Sequence, residues 1–371
     1  MPNQAAIPLR IIIAGGGTGG HIFPAIAVTQ AIQKMQPDAE ILIVGASGKM
    51  EMEKVPQAGF KIVGLTIAGF NRQSLLKNVG LPFKLIKSLI QVRSIFKQFK
   101  PNAVFGVGGY SSFPVLSYAQ SKGIPTFIHE SNAFAGKANQ WLGKKATKIF
   151  TGTKGMEQFF PVDKIMITGN PVRQNIANGG IQKEAALLQF GLLPDQFTIL
   201  IIGGSLGAAS INKAIQENLA AFTKIGVQLI WQTGKPNADT YKSAARAYGN
   251  VYVDSFIHDM SAAYTAADMV VSRSGAMAVA EIAITGKACI FVPYPHAAED
   301  HQTFNAKALV DENAAQMITD KDVIETLFPK IENLLTNKIA LKEMESKIQS
   351  FAWKNADQVI AAEIIKITAS K

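Results

Sequence analysis

The residues best suited to chemistry come early. Gly15-Gly16-Gly17-Thr18-Gly19-Gly20-His21 follows a β-branched run and leads into a segment of helical spacing that opens with Pro24. Glycines let backbone amides approach an anion or a sugar closely, and a helix start adds positive potential. The letters satisfy the dinucleotide pattern GxGxxG, but that pattern wants an acidic residue about 20 positions on. Here the next strand ends in Gly45-Ala46-Ser47-Gly48, without an acid. The Gly-Lys-Ser/Thr of a Walker loop is missing as well. A phosphate or sugar site is expected rather than a nicotinamide one. His21 stands where a general base for a sugar hydroxyl is needed, although a histidine there also serves as a hydrogen bonder at a helix start.

Two more strand-to-helix junctions repeat the theme. Gly203-Gly204-Ser205-Leu206-Gly207-Ala208 is a second glycine loop. Arg273-Ser274-Gly275-Ala276-Met277-Ala278 opens a helix with small residues, which leaves several N–H groups for a diphosphate. Glu281 follows about a turn and a half in, where a carboxylate reaches two ribose hydroxyls; the alternative is a solvated helix acid. Arg173, in Gly169-Asn170-Pro171-Val172-Arg173, is a candidate phosphate clamp or a plain surface arginine. His129-Glu130-Ser131-Asn132 and Val107-Gly108-Gly109-Tyr110-Ser111-Ser112 are polar clusters at strand ends, with Glu130 the reserve base after His21. Asp320-Lys321-Asp322 has the form of a DxD metal motif, but Asp322 with Glu325 makes a better capping box. No other cluster has metal-ligand spacing, so neither a metal nor a cofactor is expected.

The elements that must position these residues alternate between strand and helix. β-branched runs at 9–14, 41–44, 61–67, 103–107, 126–130, 149–152 and 165–169 read as buried strands. The pattern restarts at 198–204 and continues at 228–234, 251–256, 269–273 and 288–293. At 371 residues the chain exceeds one ordinary core. The predicted architecture is α/β, two doubly wound Rossmann-like domains facing a central cleft, since ligands of such sheets gather at the carboxyl ends of the strands. The domains are 1–168 and 169–371, and the last helix is a candidate to cross back to the N-terminal domain. The N-terminal apolar run goes straight into the glycine loop and reads as a strand, not a signal peptide. Cys289, the only cysteine, reads as a buried strand residue in a reducing compartment.

Charge is divided unevenly. Residues 1–168 hold 19 Lys/Arg against 7 Asp/Glu, a net of +12, while residues 169–371 hold 18 against 20, a net of −2. An anionic partner therefore belongs to the first half. From Phe70 to Lys100, Leu85, Leu89, Val92, Phe96 and Phe99 mark one helix face that should pack on the sheet. Leu75, Leu76, Val79, Leu81 and Phe83, beside Lys77, Lys84 and Lys87, suit an anionic membrane surface instead. Nucleic acid is disfavoured, for want of aromatic interleaving or a binding module.

As an ordered set, GGGTGGHIFPA, VGGYSSFP, HESNAFAGKAN, GNPVR, GGSLGA, RSGAMAVAE and HAAEDHQTFNA resemble the bacterial family of UDP-N-acetylglucosamine:N-acetylmuramyl-(pentapeptide) pyrophosphoryl-undecaprenol N-acetylglucosamine transferases. The resemblance covers nearly the whole chain. It implies a GT-B fold and a peripheral enzyme at the cytoplasmic face of the bacterial membrane. It also implies metal-free, inverting transfer from UDP-N-acetylglucosamine to the 4-hydroxyl of the muramyl residue of lipid I, giving lipid II. By carry-over, His21 is the candidate base, and Thr18, Gly19, Gly20 and Asn132 line the sugar and acceptor side. Arg173 and Ser205 hold the diphosphate with the amides of Ala276, Met277 and Ala278. Phe256 and the Ile257 backbone take uracil, Glu281 the ribose and Gln302 the N-acetylglucosamine. Some family members have two adjacent glutamines where this chain has His301-Gln302, so no role carries over to His301. A UDP-N-acetylglucosamine 2-epimerase, a diacylglycerol glycosyltransferase and a non-catalytic binding protein are the rival readings.

Overall fold

Ile11, Ile12 and Ile13 explain the first sheet in miniature. Side chains alternate along a strand, and Ile11 and Ile13 enter one apolar core while Ile12 and Ala14 enter another. A strand buried on both faces must sit in the middle of a covered sheet, and parallel connections supply the cover. The computed structural model describes residues 8–69, 81–204 and 206–370, and the chain divides into two units.

The first unit comprises residues 1–173 and 355–371. Its strands are β1 (Arg10–Ala14), β2 (Glu40–Ala46), β3 (Ile62–Leu65), β4 (Ala103–Gly106), β5 (Thr126–Glu130), β6 (Lys148–Thr151) and β7 (Ile165–Ile167). They form one sheet in the order β3-β2-β1-β4-β5-β6-β7. Every pairing is parallel, with Ile12 opposite Leu42 on one side and Val104 on the other. The order reverses between β1 and β4, so the loops after these strands flank the place where doubly wound sheets bind ligands. Five helices connect the strands through β6: α1 (Gly19–Met35), α2 (Glu51–Gln57), α3 (Leu81–Phe99), α4 (Ser112–Ser121) and α5 (Lys137–Gly143). Pro24 does not open α1 but lies inside it. The helix starts earlier because the amides of His21 and Ile22 both close on the Thr18 carbonyl.

The chain's last helix, Ala356–Ala369, packs on the α1 face of this unit. Its Ile360, Ala361 and Ile364 complete the core built by Ile11, Ile13, Val28 and Ile32. The unit also runs past the Gly169-Asn170-Pro171 turn, because the amides of Thr168 and Gly169 still bond to the Thr151 carbonyl.

On α3 the expected packing stripe holds only in its second half. Val92 and Phe96 are buried and Phe99 is half-buried, whereas Leu85 and Leu89 are exposed. Ser88 takes the buried position in the first half, and Phe83, Ile86 and Ile90 face solvent. Leu75, Leu76, Lys77 and Val79 lie outside the described residues, as does the side chain of Leu81.

The second unit, 174–354, repeats the architecture. Its strands are β8 (Thr198–Ile202), β9 (Gln228–Gln232), β10 (Val251–Asp254), β11 (Met269–Ser272), β12 (Ala288–Phe291) and β13 (Gln316–Met317). The order is β10-β9-β8-β11-β12-β13, again wholly parallel, with the reversal between β8 and β11. β13 is too short to be read from sequence. Two glycine-bearing junctions, 203–208 and 273–275, follow the strands at this reversal.

Candidate active site

In the first unit, the loop after β1 and the loop after β4 meet at the sheet's reversal point. Gly109 has φ +81°, and a Cβ there would fall 2.3 Å from the Gly16 carbonyl oxygen, so the close approach needs glycine. Thr18 caps the start of α1, and its Oγ1 lies 3.1 Å from His21 Nδ1. The His21 ring packs against Gly108, where a Cβ would lie 3.0 Å from Nε2. Gly19 and Gly20 are the first two residues of α1, between Thr18 and His21. The Tyr110 ring covers Gly17 (a Cβ on Gly17 would lie 3.2 Å from it), and burial, reinforced by the Glu51 charge, holds its phenol above the usual range.

The polar cluster after β5 is organised by Glu130, which is almost fully buried. Oε1 accepts the Asn132 amide N–H at 3.1 Å and its Nδ2 at 3.2 Å. Oε2 accepts Gly136 N–H at 3.1 Å and Asn139 Nδ2 at 2.8 Å. Burial raises its pKa, and the four N–H bonds pull the other way. A carboxyl so occupied fixes the loop that presents Asn132, so Glu130 does not serve as the reserve base for His21. His129 is wholly buried, with Nε2 3.2 Å from the Gly169 carbonyl oxygen and Nδ1 3.4 Å from Ser131 Oγ. Burial pushes its pKa down to about 4. Arg173 stacks over Phe23 of α1, 5.4 Å from the ring centroid, which ties it to the helix that carries His21.

In the second unit the junction after β11 is the best defined. Gly275 caps the helix Ala276–Thr285, and Ala276, Met277 and Ala278 make its first turn. Glu281 is not a solvated acid. It is 8% exposed and accepts the Tyr264 hydroxyl at 3.2 Å. Ile257 is buried, and its N–H donates to Gln232 Oε1 at 3.0 Å, which leaves the carbonyl as the backbone group to offer a base. Phe256 beside it is 43% exposed. The side-chain Oε1 of Gln302 accepts the Tyr294 amide at 2.9 Å, so its Nε2 is the end turned to other work. His301 Nδ1 lies 2.5 Å from the Ala298 carbonyl, a local contact at the helix start. In the second glycine loop a Cβ on Gly207 would fall 2.4 Å from the Thr233 carbonyl oxygen. Ser205, expected to hold a phosphate, lies outside the described residues.

Several residues with no obvious signature in sequence hold these loops. The Ser274 hydroxyl donates to the Gln302 carbonyl at 2.8 Å, and Asn305 Nδ2 donates to the Ser274 carbonyl at 3.1 Å, so the RSGA and HQTFN motifs are one structure. Arg273 donates to the carbonyls of Val292 and Pro293, to Ser210 Oγ at 3.1 Å and to Asp320 at 2.5 Å. Ser210 also donates to Asp320 at 2.5 Å. Asp320 is thus one arm of an ion pair, and Asp322 is the N-cap residue of the next helix but accepts the Thr319 hydroxyl and makes no side-chain cap bond there. The DxD look-alike is explained by these partners.

Two all-parallel doubly wound units, each with polar loops at its reversal point, define the GT-B class of fold. The particular family follows from the sequence matches. The chain belongs to glycosyltransferase family 28: the model of that family's N-terminal domain matches residues 11–151, and that of its C-terminal domain matches residues 198–360. A relative from Phocaeicola vulgatus, the UDP-N-acetylglucosamine–N-acetylmuramyl-(pentapeptide) pyrophosphoryl-undecaprenol N-acetylglucosamine transferase, is 49% identical over 97% of this chain and 96% of its own. The crystal structure of Acinetobacter baumannii MurG superposes with a TM-score of 0.75 at 30% identity, covering 97% of this chain and 100% of that one. A Neisseria meningitidis UDP-GlcNAc 2-epimerase bound to UDP-GlcNAc reaches a TM-score of 0.65 at 17% identity, over 97% of this chain and 100% of its own, and shares the fold alone.

Proposed function

We propose that this glycosyltransferase moves N-acetylglucosamine from UDP-N-acetylglucosamine to the 4-hydroxyl of the muramyl residue of lipid I, with inversion, giving lipid II. The observation that carries the reading is the near-full-length match, at 49% identity, to a relative whose name states that transfer. A 2-epimerase shares only the fold, at 17% identity.

In this reading the second unit holds the donor. Glu281 accepts the ribose hydroxyls, the Ile257 carbonyl accepts uracil N3–H beside Phe256, and Gln302 Nε2 donates to the sugar. The first-turn amides of 276–278, with Ser205, take the charge that grows on the β-phosphate as UDP leaves, and Arg173, carried by the first unit, is the candidate phosphate clamp. The first unit holds the acceptor through Thr18, Gly19, Gly20 and Asn132. His21 Nδ1 carries its proton toward Thr18 Oγ1, and Nε2 takes the proton of the attacking hydroxyl.

The acceptor is a membrane lipid, and we assign the docking face to the exposed start of α3. Phe83, Ile86 and Ile90 are 76%, 57% and 66% exposed, beside the exposed Lys84 and Lys87. Apolar side chains ringed by lysines suit the cytoplasmic, anionic face of a bilayer. Among the described residues no helix is long and apolar enough to cross it. The test is UDP release by the purified protein with lipid I, with diacylglycerol and with no acceptor, in parallel with sedimentation on anionic vesicles. Release only with lipid I is expected, as is co-sedimentation that weakens in Phe83→Ser/Ile90→Ser. Release only with diacylglycerol, or 2-epimerisation without an acceptor, would sink the assignment.

A further inference from the structure

Glu51, the first residue of α2, is completely buried and takes no part in the chemistry described so far. Its carboxyl oxygens accept the Gly17 N–H at 3.0 and 3.1 Å, and Oε1 also accepts the Ala46 N–H at 3.0 Å. Two glycines make the slot it fills. A Cβ on Gly16 would lie 2.2 Å from Oε1, and one on Gly45 would lie 2.6 Å from Cγ. A carboxyl removed from water is costly unless N–H groups replace the lost solvation, and here the ends of β1 and β2 supply them. The Gly17 amide is therefore turned inward, toward the protein. It is not one of the groups that the first glycine loop offers to an anion.

This contact fixes the Gly16–Gly17 peptide, one residue ahead of Thr18. Gly17 has φ +92° and is held between Glu51 on one side and the Tyr110 ring on the other. Thr18 then caps α1 and reaches His21 Nδ1, so the orientation of the imidazole descends from the peptide that Glu51 grips. We infer that Glu51 is a positioning residue, which clamps the first glycine loop through Gly17 and thereby sets the His21 imidazole. For its effect on rate the inference rests on the proposed role of His21 as base; the clamp itself is decided separately.

Glu51→Gln is the direct test. It keeps the shape but offers one acceptor oxygen where two now serve, and it turns an NH2 group toward an N–H. We expect kcat to fall by about 10–100-fold, the scale of a misaligned catalytic group, while KM for UDP-N-acetylglucosamine stays within about twofold. If Glu51 acts through His21, the double variant Glu51→Gln/His21→Ala is no slower than His21→Ala alone. The ¹⁵N resonances of the His21 ring, assigned by comparison with His21→Ala, should shift in Glu51→Gln. Glu51→Asp, which keeps the charge on a shorter stem, should recover part of the kcat and part of the ring shift. It carries the same measurements if the glutamine variant does not fold.

A kcat within twofold of wild type in Glu51→Gln, or multiplying losses in the double variant, overturns the inference. So do ring resonances that stay in place. Should His21→Ala itself keep full kcat, the base assignment fails while the ring signals still decide whether Glu51 holds the loop.

Discussion

Glu130 and Glu281 are both buried acids near the carboxyl ends of parallel strands, and their partners separate their work. Glu130 has its oxygens filled by four N–H groups of its own loop and neighbouring helix. Such a group stiffens a loop and has nothing to give a ligand. Glu281 stands on the second turn of a helix whose first turn offers amides, and its Oε2 accepts the Tyr264 hydroxyl. A carboxylate there suits a pair of ribose hydroxyls, because hydrogen bonds to a charged acceptor contribute about 1.5–3 kcal/mol each. Glu281→Gln keeps the volume and the Tyr264 contact but loses the charge. We expect KM for UDP-N-acetylglucosamine to rise roughly 10- to 100-fold, as that energy implies, with kcat changed far less. Steady-state kinetics with varied donor is the check, and an unchanged KM would take Glu281 out of the ribose site.

At the scale of elements, the second unit's loops are held by one guanidinium. Arg273 precedes the helix that carries Glu281, Ser210 lies on the helix after the second glycine loop, and Val292 and Pro293 lead to the Tyr294 amide that Gln302 holds. The Arg273 and Asp320 side chains are 14% and 26% exposed, so solvent screens the pair only weakly. Asp320→Asn should cost about 1–3 kcal/mol of stability and raise KM for the donor several-fold, because the junctions lose their common anchor. Thermal unfolding and donor kinetics test this together. A lower midpoint with unchanged KM would make the pair merely structural.

The same network marks how far the sequence could be read. Twelve strands were legible because short β-branched runs, many bounded by glycine or proline and alternating with helical segments, read as the strands of a parallel sheet. β13 was not, since two residues carry no periodicity. Glu51, Arg273 and Asp320 were illegible as positioning groups because their partners come from distant loops, and spacing along the chain says nothing of that. The α3 stripe misled for a related reason. Helical spacing reports a face, and only the sheet's extent decides how much of that face is covered.

At the scale of the whole molecule, buried His129 makes stability depend on pH in a direction that can be worked out. Its folded pKa is pushed down to about 4 by burial, opposed by the Gly169 carbonyl and assisted by the charge of His21. Unfolded, the ring titrates near 6.5. Between these values the unfolded chain binds more protons than the folded one, so stability rises with pH across the window. The stabilisation is complete above about 6.5 and is lost as the pH falls toward 4. From pH 7.5 to 5.0 the loss attributable to this ring is about 2 kcal/mol. The first 168 residues carry a net charge of +12, so acid also adds repulsion there, and wild type alone cannot isolate the ring. His129→Gln removes the titration and leaves the surface charge as it was. Its fully buried site makes the variant less stable at every pH, but its unfolding midpoint should fall less steeply between pH 7.5 and 5.0 than that of wild type. Parallel slopes in the two proteins would mean that acid acts through the surface charges and that His129 takes up protons alike in the folded and unfolded chains.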